Sequence, residues 1–174
     1  MSIATVYITL LRIIHIFSAV TWVGGSIFMA SVIGPTVRAA GPEGGRFMMR
    51  MASFGQLSKV LTMAGLGTVL AGLLLYFPTS GGLNGAWLSS AHGITLTLGA
   101  LVGIAAFLHG IFVSGRTAAK MKVVADQILT VQGPPAPDLL KEAQALGAKL
   151  GSGVILTAAM GSIALILMAA AQTI

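Results

Sequence analysis

The chain of 174 residues contains no cysteine, which excludes disulfides, thiolate metal sites, covalently attached c-type haem and iron–sulfur clusters. Charge is nearly as scarce: 8% of residues are Asp, Glu, Lys or Arg, and only four of those are acidic. Soluble domains carry about 25% charged residues, so an ordinary water-soluble globule and a disordered chain are both ruled out. What fills the sequence is apolar, with 56% hydrophobic residues and a mean hydropathy of +0.95. Lipid is the solvent that suits such a chain. The net charge of +6 has no soluble surface on which to form a patch, so nucleic acid is not an expected partner.

Four apolar runs stand out, at residues 3–33, 60–77, 92–113 and 150–171. Each is long enough, at ~1.5 Å per residue, to cross the hydrocarbon core of a bilayer. The fold class read from them is all-α: one membrane domain over residues 1–174, an integral bundle of four transmembrane helices. The first run has no basic segment before it and is too long for a signal peptide, so it is read as a span. Gly34-Pro35, Pro78 with Gly81-Gly82, and Gly115-Arg116 read as the ends of the first three spans. Residues 34–59 and 114–149 then read as loops. Within the second loop, Gly133-Pro134-Pro135-Ala136-Pro137 cannot stay helical, and short amphipathic helices are expected on either side, near 118–130 and 138–148.

Charge orients the bundle. Arg38, Arg46, Arg50 and Lys59 follow the first span, and Arg116, Lys120, Lys122, Lys141 and Lys149 follow the third, while residues 79–91 carry no charge. The positive-inside rule places both basic segments in the cytoplasm and both termini outside, in a cytoplasmic membrane of bacterial or archaeal type. Many glycines sit in the spans, and small residues at spacing four let helices approach closely in lipid.

Ionisable side chains inside a span are costly, and each is a functional candidate. Arg12, His15, His92 and His109 qualify, whereas all four carboxylates fall outside the spans, so no buried acidic relay is expected. With Ile33 near the inner boundary, the helical rise puts His15 close to the outer one. His92 opens the third span from the outside at a comparable height, and His109 falls near the cytoplasmic surface. The faces around the two outer histidines are small and polar: Trp22 and Ser26 lie below His15, and Gly99 and Gly103 lie below His92. Two imidazoles at one height above recessed surfaces suit a planar ligand, and a haem b with His15 and His92 as axial ligands fits that pattern. Arg12, about one turn outward, then faces a propionate. His109 is an alternative ligand or a second site. The plainer readings stay open: each histidine as a hydrogen-bonded packing residue, Arg12 snorkelling to the interface, Trp22 as core. Met48, Met49 and Met51 invite copper, although such a cluster is more often an amphipathic surface segment.

Leu11-Arg12-Ile13-Ile14-His15 followed by Val20-Thr21-Trp22-Val23-Gly24-Gly25 resembles the first span of HemJ-like and CopD-like membrane proteins. The likeness runs on through Lys59 to Leu75, Trp87-Leu88 and Phe107-Leu108-His109, covering about two thirds of the chain. The resemblance implies haem b held by His15, with protoporphyrinogen IX oxidation as the HemJ-type activity and copper transport or assembly as the CopD-type one. His92 stands where HemJ-like proteins carry a lysine, which makes a second axial imidazole the expectation here. Bis-imidazole iron suits one-electron transfer. The expected function is therefore a haem b electron carrier on the extracytoplasmic side. Its expected partners are the lipid bilayer and a quinol, redox carrier or larger membrane complex, with a homo-oligomer as a further possibility.

Overall fold

Runs of Leu, Ile, Val and Ala satisfy their own main-chain polar groups only by coiling into helices, which is what a membrane interior demands. The computed structural model describes residues 2–174 and is built of helices: α1 (Ile3–Ala39), α2 (Gly41–Phe54), α3 (Gln56–Thr79), α4 (Gly85–Leu88), α5 (Ala91–Thr130) and α6 (Pro137–Ala171). Among the described residues no strand is present. Four of these helices, α1, α3, α5 and α6, are long and apolar enough to cross a membrane. The chain is an integral membrane protein.

Two of the expected boundaries are crossed. Gly34-Pro35 does not end α1, and Gly115-Arg116 does not end α5. In both places a π-helical segment comes immediately before: Met29–Ile33 ahead of Gly34, and Gly110–Gly115 ahead of Arg116. A π turn shifts the hydrogen-bond register by one residue, and Pro35, which has no N–H, is carried within the continued helix. A further π segment, Val20–Gly24, interrupts α1 earlier. The amphipathic stretches near 118–130 and 138–148 are therefore extensions of α5 and α6, not separate helices. They are held by each other and by α2, through Met121, Val124, Ala143, Met49 and Ala52. That contact also accounts for the methionine cluster as the apolar face of a packed helix. The proline segment is non-helical over residues 131–136, as expected.

At the junction of α2 and α3, Gly55 takes φ +69°, a left-handed turn that a side chain would strain. At the opposite end Ser90 caps α5 by accepting from the Gly93 N–H at 3.0 Å. Gly93 is needed there because a Cβ would lie 2.0 Å from the Trp87 carbonyl oxygen.

Helix α1 packs chiefly on α3, and α5 on α6. The two pairs meet at one aromatic level. Trp22 and Phe107 cross edge-to-face with centroids 5.9 Å apart, and both lie over Gly65, where a Cβ would sit 2.9 Å from Phe107 and 3.3 Å from Trp22. One residue on, Val23 fills the space above Gly161 of α6. This level ties all four spans into a single register.

Candidate functional site

His15 faces α3. Its Nδ1 lies 2.8 Å from the main-chain oxygen of Thr68, and a carbonyl only accepts, so Nδ1 carries the proton. The remaining nitrogen, Nε2, is left for another partner. Gly72 makes room for the ring: a Cβ there would stand 2.9 Å from Cε1 and 3.1 Å from Nδ1. Metal-ligating histidines are typically oriented in this way, one nitrogen donating to a carbonyl and the other free.

His92 belongs to the other helix pair. Its Nδ1 donates to the oxygen of Ala171 at 2.6 Å, in the last turn of α6, where main-chain carbonyls have no partner within the helix. Its ring stands edge-on to Trp87 at 5.6 Å, and Trp87 in turn meets Tyr76. The local arrangement is that of a helix C-cap in an aromatic belt.

The two imidazoles do not share a level. From Trp22 to His15 the chain climbs seven residues, and from Phe107 at the same level to His92 it climbs fifteen. The difference of eight residues is about 12 Å along the bundle. A second route agrees: Gly72 under His15 is four residues below Tyr76, whose hydroxyl bonds Thr97 at 2.5 Å, and His92 is five residues further out. Two nitrogens sharing one ion at bond lengths of about 2 Å must come within about 4 Å of each other. The rings face different partner helices and do not meet that requirement. The expected equal height of His15 and His92 is corrected to an offset of about 12 Å along the bundle.

The surfaces expected to admit a macrocycle are filled by protein. Gly99 is covered by Leu167, Met168 and Ala164 of α6, and a Cβ on Gly103 would lie 3.8 Å from the Ala164 Cβ. Trp22 is core, and the Ser26 hydroxyl donates to the Trp22 carbonyl at 2.8 Å. These four residues serve helix packing. Arg12 is exposed on α1, about one turn from His15 toward the uncharged end, and has no ion-pair partner among the described residues.

His109 lies two residues past Phe107, about 3 Å along the helix from the aromatic level. Its Nδ1 is 3.4 Å from the Thr157 hydroxyl of α6. Among the described residues, no three of His, Asp and Glu converge as a metal site.

Scanned against protein-family models, curated proteins and solved structures, the chain matches none.

Proposed function

We propose that this membrane protein binds haem b through one axial imidazole, that of His15. The observation that carries the reading is the 2.8 Å bond from His15 Nδ1 to the Thr68 carbonyl, which seats the ring and leaves Nε2 for another partner. Gly72 keeps the ring seated against α3, and Thr68 holds its angle. Arg12, unpaired and about one turn away, supplies a cation for a carboxylate of the ligand. Haem iron held by one imidazole keeps a coordination position open, unlike the six-coordinate iron of an electron carrier. That difference moves an oxidoreductase of HemJ type, acting on a porphyrinogen, ahead of one-electron transfer to a quinol or carrier. His92 has the role of capping α6. The basic segments orient the bundle with both termini outside, so His15 lies in the outer half of the bilayer.

The test is optical. Protein purified after haem-supplemented expression is expected to show a Soret band that His15→Ala abolishes and His92→Ala leaves intact. A His15→Ala variant that keeps its haem, or a wild-type protein that takes none, overturns the assignment. Equal loss in both variants restores the two-imidazole reading. Rescue of a strain lacking protoporphyrinogen oxidation then decides the substrate.

A further inference from the structure

Hydroxyl groups on the spans usually return to the carbonyl four residues earlier, as Ser26, Thr68, Thr97, Thr117 and Ser162 do. Ser114 does not. It lies in the π-helical segment Gly110–Gly115, where the hydrogen-bond register is shifted, and its Oγ is shut off from solvent with no partner among the described residues. The hydroxyl points at α6: a Cβ on Gly153 would lie 2.7 Å from it. The same point is 3.6 Å from His109 Cε1. One turn further along α6, the buried Thr157 hydroxyl reaches His109 Nδ1 only at 3.4 Å, too long for a strong O–H···N bond. Three hydrogen-bonding groups therefore converge between α5 and α6, one of them unsatisfied and one weakly satisfied, at a depth where lipid offers them nothing.

Charge decides what such a site takes. The charged groups nearest in chain position on the helices around it are Arg116 of α5, Lys149 of α6 and Lys59 of α3, all exposed and all cations, while the spans hold no carboxylate. A bound cation would have no counter-charge. An anion would meet only two hydroxyls and one imidazole: Arg116, two residues past Ser114, lies over the Phe112 ring, and Lys149 is a turn from Gly153. A neutral molecule that both donates and accepts matches the groups present.

We propose that Ser114, Thr157 and His109 form an internal water site, entered from the basic end of the bundle, which keeps an imidazole hydrated inside the membrane. Water supplies the acceptor and donors that Ser114 and His109 lack. This inference stands independently of haem.

The test is water-edited solid-state NMR on the full chain in phosphatidylcholine vesicles, with ¹³C,¹⁵N-labelled histidine and phenylalanine. The His109 ring is assigned by its loss in His109→Gln. Its signals are expected to build up from water as fast as those of His92 at the bundle end, and several-fold more slowly in Ser114→Ala. A His109 ring as slow as Phe107 beside it in the wild-type protein overturns the site, whatever the variant does. Fast build-up unchanged by Ser114→Ala overturns the role of Ser114 and with it the three-residue site.

Discussion

His15 donates its Nδ1 proton to the Thr68 carbonyl across 2.8 Å, and it does so because Gly72, one turn further along α3, has no side chain. The bond fixes the ring of a span residue without using any other side chain. Replacing Gly72 by Ala puts a methyl 2.9 Å from Cε1, so the ring must swing away and the bond must break. The expected loss is ~1–3 kcal/mol of stability in detergent, as for other overpacked interiors. Gly103→Ala, with its nearest neighbour at 3.8 Å, is expected to unfold at the wild-type temperature. Equal melting temperatures for the two variants would contradict this packing.

Trp22 carries the level at which the four spans meet. Its truncation to Ala removes the edge-to-face contact with Phe107 and leaves a cavity over Gly65. The expected cost is ~3–5 kcal/mol, measurable as a lowered unfolding midpoint. Ile16→Ala, an exposed position on the same helix, is the control expected to change little.

His92 caps α6. His92→Ala is expected to cost about 1 kcal/mol, the net worth of one hydrogen bond, and to act locally. Hydrogen exchange at residues 168–174 is expected to quicken while the aromatic level stays protected. Exchange that quickens throughout the bundle would show that the residue does more than close a helix end.

The basic end carries a pH-dependent contact. Lys122 bonds Asp126 at 2.8 Å and also reaches the Ser53 carbonyl at 2.7 Å, so α5 is tied to α2. The Lys122 hydrogen bond, followed by one from the Ser53 hydroxyl, holds the Asp126 carboxyl below its ordinary value of 3.8. A pKa lowered by folding means that the stabilisation is complete above the unfolded value and disappears as pH falls through the folded one. The docking of α2 is therefore expected to be insensitive to pH from neutrality down to about that ordinary value, and to loosen below it. Amide exchange along residues 44–54 reports it, and Asp126→Asn is expected to give the loosened pattern already at neutral pH. The pair is exposed, so the effect is small and screened by salt.

Absence of cysteine makes the orientation easy to check. A single Ser89→Cys is expected to react with a membrane-impermeant maleimide added outside intact cells, and Ala119→Cys only after lysis. The reverse pattern would invert the bundle.

The membrane class and the four spans were legible because they depend on hydropathy summed over about twenty residues, a property of composition and not of contacts. The boundaries at Gly34-Pro35 and Gly115-Arg116 were not, since a π turn adds one residue to the register and leaves the apolar pattern almost unchanged. Of the candidate site residues, His15 and His109 were singled out from the sequence as costly polar groups in apolar runs. Ser114 was missed because a serine in a span ordinarily satisfies itself on the carbonyl four residues earlier, and the lack of that bond is visible only in the folded chain.

The sequence alone dictated that this chain lives in lipid, crosses it four times and keeps its carboxylates out of the apolar runs. Which helix each histidine faces was decided by tertiary packing. Gly99 and Gly103 offer the same recess to a flat ligand as to a neighbouring helix, and helix contacts in lipid depend on shape, because hydrophobicity does not distinguish protein from acyl chains. The axial register that separates His15 from His92 by about 12 Å rests on Trp22, Gly65 and Phe107 closing on one another, a contact between residues far apart in the chain.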